Sequence, residues 1–443
     1  MTRPRTTRTR SATALALLLT LTATSACATT DGTDGPGTGG AGQLTYWSMW
    51  TSTEPQAEVL REAIDGFTAQ TGIKVHVEWQ GRKVLDKVGP ALLTGAAPDL
   101  VDQSYDRLLP ALASNGQARD VTGVLDRDTG EGRKVRDVIP ADLLKVVPRG
   151  KDGTPWLIPY ELVTVSLFTN GADPLATPRP STWEEFLAGC ERAKAAGTAC
   201  VGTDGDAPWA TVYWYDHLVN RAGGSLPRFA ADPSGKGWDA PEALDAARRV
   251  EQLVKGGYLV KGYDATKYPT QQNNWATGKS LYYLMGSWLP GETATFTAKD
   301  FKTRSIDFPA TAPQNPGAGP RDPRAATAVI PFGFAIPKKA AHPEAAERFA
   351  AWFLAKDRLK GIAERTGNTT PRQDIPAPAA LADAAASVRN SGVRLPLDGL
   401  DPDYQAKVLE PAFTDLWLGK TTAPRFIDAM RTGTAAYRKA TGR

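Results

Sequence analysis

A chain of 443 residues exceeds one compact core and fits two domains with some excess. Its 41% hydrophobic and 23% charged residues are those of a soluble globular chain and exclude a polytopic membrane protein or a disordered one. The formal charge of +4 resides in Arg3, Arg5, Arg8 and Arg10; from residue 28 onward 48 basic groups face 48 acidic ones, and a neutral body without a basic stripe argues against nucleic acid as partner.

The arginine-rich start is followed by an apolar run from Ala12 to Ala23. A run of that length falls short of the ~20 apolar residues that span a bilayer, and is the h-region of a signal peptide. It closes on Thr24-Ser25-Ala26-Cys27, which resembles a bacterial lipobox except for Thr24, where a larger aliphatic residue is usual. Residues 1–27 are therefore expected to be a lipoprotein signal with Cys27 as the lipidated residue; a simple secretory signal is the alternative. Residues 28–43, rich in Gly and Thr, have no apolar period and are expected to be a flexible tether.

The folded part opens with an aromatic strand, Leu44–Trp50. Thr53 and Gln56 have capping-box spacing ahead of the stripe Leu60, Ala63, Ile64 and Phe67, and Gly72 ends that helix. Ile73, Val75, Val77 and Trp79 alternate with polar residues as a half-buried strand, completing a βαβ unit. Residues 97–101 form another short strand that runs out to Asp102 and Gln103. Capping-box spacings recur at Ser181/Glu184 and Asp239/Glu242, and His342-Pro343 starts a helix with Ala346, Phe349, Ala350 and Phe353 on one face. Short apolar strands are expected at 163–168, 280–284 and 328–336.

These phrases occur in an order that resembles an extracytoplasmic solute-binding protein of an ABC transporter, the family typified by maltose-binding and other oligosaccharide-binding proteins. They are Tyr46–Trp50, FTAQTGIKVHVEW (67–79), residues 97–101, IPYELVTVSLFTN (158–170), Pro180–Phe186, Gly278–Trp288, and Pro337-Lys338-Lys339 with 342–346. The resemblance implies a two-lobed α/β fold of the periplasmic-binding type II class. Crossing strands would form a hinge, with the ligand in the cleft between lobes. Lobe one is expected over 44–161 and 331–365, and lobe two over 162–330 and 366–443. A carbohydrate ligand, ABC permease subunits, a membrane reached through a lipid anchor and a monomeric state follow from the same resemblance.

Candidate ligand-binding residues are the aromatics Trp47, Trp50, Trp209, Trp214, Trp275 and Trp288, since an aromatic plate beside a few fixed polar groups complements a sugar ring. Trp183 and Trp352 sit within helical stretches and are left to packing. Tyr160 and Glu161 stand at the first crossing, Asp102 and Gln103 end a strand, Arg372 follows Thr-Thr-Pro, and Gly333 and Phe334 belong to the second crossing. Cys190 and Cys200, separated by nine residues in a chain outside the cytoplasm, are expected to form a disulfide. His76, His217 and His342 lie far apart, and no nucleophile, phosphate-loop or zinc motif occurs. No catalysis, cofactor or metal is expected. A quaternary amine in an aromatic cage, a glycoside-active enzyme with a carboxylate pair and, more remotely, calcium are the rival readings.

Overall fold

Alternation sets the first strands. In β1 (Gln43–Ser48) Leu44, Tyr46 and Ser48 are buried while Thr45 and Trp47 are only half-buried. A helix, Pro55–Thr71, buries Val59, Leu60, Ala63, Ile64 and Phe67 and stops at Gly72, whose left-handed φ of 72° lets its N–H reach the Thr68 carbonyl. The chain returns as β2 (Lys74–Trp79), parallel to β1, and β3 (Leu100–Ser104) pairs parallel on the other side. The computed structural model describes residues 42–311 and 322–442; the expected lipidation site Cys27 and the tether up to residue 41 lie outside the described residues.

β4 (Ile158–Asn170) is the longest strand and is buried along nearly all its length. Its first half pairs antiparallel with β8 (Thr327–Ala335), from Ile158 opposite Phe334 to Val165 opposite Ala328. Its second half pairs antiparallel with β6 (Ser280–Gly286) and β7 (Thr303–Ile306). β5 (Ala199–Gly202) flanks β6, and β9 (Val393–Arg394) flanks β8. The sheet order is β2-β1-β3-β8-β4-β6-β5. One lobe is built on β1–β3 and the other on β5–β7, and β4 carries the chain from the first to the second. β8 carries it back, its last residues pairing with β3. A third passage runs through Thr369, whose carbonyl accepts the Leu162 N–H at 2.8 Å and whose hydroxyl donates to the Leu162 carbonyl at 2.8 Å.

Helix starts differ from the expected boxes. The box on the helix Trp183–Ala195 is Thr182 with Glu185 rather than Ser181 with Glu184; Ser181 instead donates through both its N–H and its hydroxyl to Glu185. The helices Pro55–Thr71 and Pro241–Lys255 have no side-chain cap, because a proline in the first turn presets φ and removes an N–H that would otherwise need a partner. Gln56 and Asp239 are thereby released: Gln56 reaches Glu161 at 3.4 Å and Asp239 pairs with Arg431. All three expected strands are also extended or displaced at their ends, most of all 163–168, which is the middle of the 13-residue β4.

Cys190 and Cys200 are joined by a disulfide that ties the helix Trp183–Ala195 to β5. Among the described residues no helix is long and apolar enough to cross a membrane, and no cluster of His, Cys, Asp or Glu could hold a metal ion.

Candidate functional site

The cleft is organised on its first wall by a carboxylate that does not line it. Asp102, fully buried in the middle of β3, accepts from Tyr160 (2.6 Å), Tyr46 (2.8 Å) and the Met49 N–H (2.8 Å). Burial raises its pKa, and these hydrogen bonds oppose the rise. Tyr160 in turn accepts the Trp50 indole N–H at 2.7 Å, so Asp102 fixes Trp50 through Tyr160. Trp50 lies against Phe332 with ring centroids 6.0 Å apart and carries the Arg82 guanidinium over its ring at 4.7 Å. Arg82 is itself held by an ion pair with Glu54 and by the Met49 carbonyl at 3.0 Å, while Gln103 donates to the Arg82 carbonyl at 3.2 Å.

The opposite wall is aromatic. The helix Pro208–Arg221 presents Trp209 and, one turn on, Tyr213. Trp209 meets Tyr268 edge-on at 5.5 Å and Trp288 at 6.3 Å. Trp288 owes its pose to Gly286, where any Cβ would come within 2.2 Å of the indole, so the Gly-Ser-Trp sequence after β6 lets the ring fold back over the strand end. Glu292 accepts from Tyr268 at 2.9 Å and from Gln272 at 2.8 Å.

Between the walls the register of β4 shifts at Pro159/Glu161. Such an irregularity re-aims side chains where strict alternation would have continued. Tyr160 packs into the first lobe against Phe334 and Phe353, and Glu161 joins the cleft. Glu161 is fully buried; its Oε1 accepts from Asn368 at 2.6 Å and from Gln56 at 3.4 Å, and its Oε2 has no partner in the protein. Burial pushes this carboxyl up to about 8 against those two amide hydrogen bonds, the Asp102 charge adding to the rise and Arg82 opposing it. Asn368 is anchored by Ser287, which donates to its Oδ1 at 2.8 Å and accepts the Thr164 N–H at 3.1 Å. One relay therefore joins the first lobe, the first and third chain passages and the second lobe.

The resulting cleft measures about 1010 Å³. Of the residues singled out in the sequence, Trp50, Gln103, Glu161, Trp209 and Trp288 line it together. Asp102 and Tyr160 stand behind its wall. Trp214 is in the second lobe's core between Phe186, Phe308 and Trp417, and Trp275 packs on Tyr283 and Phe301. Trp47 is half-buried on β1 and outside the lining. Phe334 packs among Tyr46, Tyr160, Phe349 and Phe353, and Gly333 lies so close to β4 that a Cβ would stand 2.5 Å from the Ile158 carbonyl oxygen. Arg372 is buried and ion-paired to Glu131 and Asp374, away from the cleft. His217 stacks on Phe308, and His342 meets Asp99.

The cleft also takes residues that sequence reasoning missed: Arg82, Tyr213, Tyr268, Glu292, Phe332 and Asn368. Two had a signal. Arg82 follows the carboxyl end of a parallel strand, where open α/β sheets place ligands, and Tyr213 is one helical turn from Trp209. Tyr268, Glu292 and Asn368 come from loops and short helices without periodicity.

Two lobes joined by crossing strands, with an aromatic and amide-lined cleft between them, define a solute-binding protein of the two-lobed type II α/β fold. The chain belongs to the family of bacterial extracellular solute-binding proteins, which it matches over residues 50–358. It is 27% identical over 329 residues to the diacetylchitobiose binding protein NgcE of Streptomyces coelicolor, a match that covers 67% of this chain and 65% of that protein, so the chain spans just under two thirds of this relative's length. Among solved structures it resembles the bacterial solute receptor AcbH, which prefers β-D-galactopyranose (TM-score 0.73, 17% identity, covering 91% of this chain and 100% of that one). It also resembles a chitin oligosaccharide binding protein (TM-score 0.68, 20% identity, 89% and 99% covered). At these identities the structural likeness establishes the shared fold.

Proposed function

We propose that this protein captures a carbohydrate in the cleft and delivers it to an ABC-type importer without chemical change. The observation that carries the reading is the pairing of walls: the Trp50–Phe332 stack on one lobe faces the Trp209, Trp288 and Tyr268 group on the other, with Glu161, Gln103 and Asn368 between them. Aromatic faces suit the C–H faces of pyranose rings, and the fixed amides and carboxyl suit their hydroxyl edges. The saccharides bound by NgcE, by AcbH and by the chitin oligosaccharide binding protein support the same class of ligand.

Closure would bend the three passages near residues 161/162, 330/331 and 365/366, bringing lobe one (44–161, 331–365) onto lobe two (162–330, 366–443), and a ligand touching both would stabilise the closed form that permease subunits engage. Cys27 would carry a lipid and the following residues, up to 42 rather than the expected 43 because Gln43 already pairs with Lys74 as the first residue of β1, would tether a monomer at the outer face of the membrane. A cationic amine is the second reading, favoured by the Glu292 carboxylate beside Tyr268 and within one side chain of Trp209.

The test is a thermal-shift screen against mono- and oligosaccharides, with choline and betaine included, followed by recovery of the added ligand. A saccharide that raises Tm and returns intact supports the reading. Stabilisation by the amines alone transfers the site to a cation, and a saccharide returned cleaved overturns the non-enzymatic claim.

A further inference from the structure

Glu161 holds its two carboxyl oxygens in unlike settings. Oε1 accepts the Asn368 amide at 2.6 Å and the Gln56 amide at 3.4 Å, whereas Oε2, equally closed to solvent, has no partner in the protein. This asymmetry suits a carboxylic acid, whose carbonyl oxygen takes the two donors while its hydroxyl oxygen carries the proton. An ionised group would leave a buried, half-unpaired charge there, which costs far more than an unpartnered neutral hydroxyl.

The surroundings supply no free countercharge. β3 brings Asp102, itself a carboxyl, and Tyr160 beside it on β4 is kept protonated by burial. Arg82 favours ionisation, but its guanidinium is paired with Glu54. The helix Pro55–Thr71 contributes the neutral Gln56, and on the third passage Arg365 is paired with Glu62 at 2.7 Å. From the second lobe the cleft receives Glu292, a further acid. That lobe also completes the cover of Glu161, because Ser287, just beyond β6, donates to Asn368 Oδ1 at 2.8 Å while Asn368 donates to Glu161.

We propose that lobe closure is proton-linked: Glu161 is a neutral acid in the arrangement seen here, and transfer of its Oε2 proton to water favours an opened cleft in which the carboxylate is hydrated. Parting the lobes draws Ser287 away from Asn368, loosens the amide over Glu161 and admits water to Oε2. Burial holds this carboxyl at about 8 in the arrangement described, and hydration would return it towards its ordinary 4.5. The closed form therefore binds the extra proton: closure is favoured at low pH, and that preference is lost as pH rises to about 8. The device acts on the lobes themselves and holds for whichever solute the cleft takes.

Two measurements on the ligand-free protein between pH 5 and 9.5 test it. Carbon-13 NMR of the protein labelled at its glutamate carboxyls should show one carboxyl, missing from Glu161→Gln, that titrates near 8 instead of 4.5. Small-angle X-ray scattering should show the radius of gyration rising across the same interval while the far-UV circular dichroism stays constant. In Glu161→Gln, which keeps an acceptor for Asn368 and cannot titrate, the radius should be the same at every pH. A Glu161 carboxyl that titrates near 4.5 overturns the proposal, as does a radius that stays constant or falls while the carboxyl ionises. So does an expansion that persists in Glu161→Gln or that comes with loss of helical signal, which would be unfolding. None of these results bears on the carbohydrate reading, which the ligand screen decides.

Discussion

Asn368 donates its side-chain amide to Glu161 Oε1 across 2.6 Å, joining the third chain passage to the first at the base of the cleft. The acceptor is a fully buried carboxyl without an ion-pair partner among the described residues. The two passages therefore meet at a carboxyl that burial biases towards its protonated form.

The sign of that dependence follows from linkage. With the Glu161 carboxyl raised from an ordinary 4.5 to about 8, the folded state keeps a proton that the unfolded state releases. The stabilisation is complete below about 4.5, is lost as pH rises towards 8, and changes no further above it, an effect on the order of a few kcal/mol. Glu161→Gln keeps an acceptor for Asn368 and should flatten this slope. Urea unfolding of both proteins between pH 5 and 9 checks it, and parallel curves for the two would refute the assignment.

Trp209 and Trp214 are five residues apart on one helix and should respond oppositely. Trp209→Ala removes a partly exposed ring from the cleft wall, so it should weaken ligand binding by about 2 kcal/mol or more while Tm changes little. Trp214→Ala empties a core site and should lower stability by about 3–5 kcal/mol. Ligand titration and denaturant melts of the pair, read together, separate the two roles.

At Gly333 the expected change is to the hinge. An alanine Cβ would meet the Ile158 carbonyl oxygen at 2.5 Å and its carbon at 2.9 Å, both backbone atoms that cannot swing aside. Gly333→Ala should force β8 away from β4 and destabilise by about 1–3 kcal/mol. Faster amide exchange in β4 and β8 than in β5 and β6 would locate the damage.

Reduction of Cys190–Cys200 frees a loop with a sequence separation of 10. The chain-entropy relation gives about 3 kcal/mol for a loop of that length. The double variant Cys190→Ser/Cys200→Ser should melt earlier by that amount and bind ligand as before, since neither residue lines the cleft. A loss of binding at temperatures well below the melt would contradict a purely stabilising role.

Local periodicity determined individual elements. The βαβ opening, the helix stop at Gly72 and the face of the helix Pro343–Phe353 are legible because alternation and 3.6-residue stripes express burial within one element. The two-lobed fold was legible only through the family resemblance that the order of phrases carries. Which aromatic lines the cleft and which fills the core was settled only by tertiary structure, because an indole serves either surface equally well. Phe332 and Phe334 lie on the same strand two residues apart, yet Phe334 is enclosed by Tyr46, Phe349 and Phe353, and Phe332, one step nearer the crossing, faces Trp50 at the cleft. Glu161 enters the cleft because β4 shifts register against β8, more than 160 residues away, and Arg372 is withheld from it by Glu131, a partner from another segment. Each of these outcomes depends on register and charge pairing between segments distant in the chain, which no local pattern encodes.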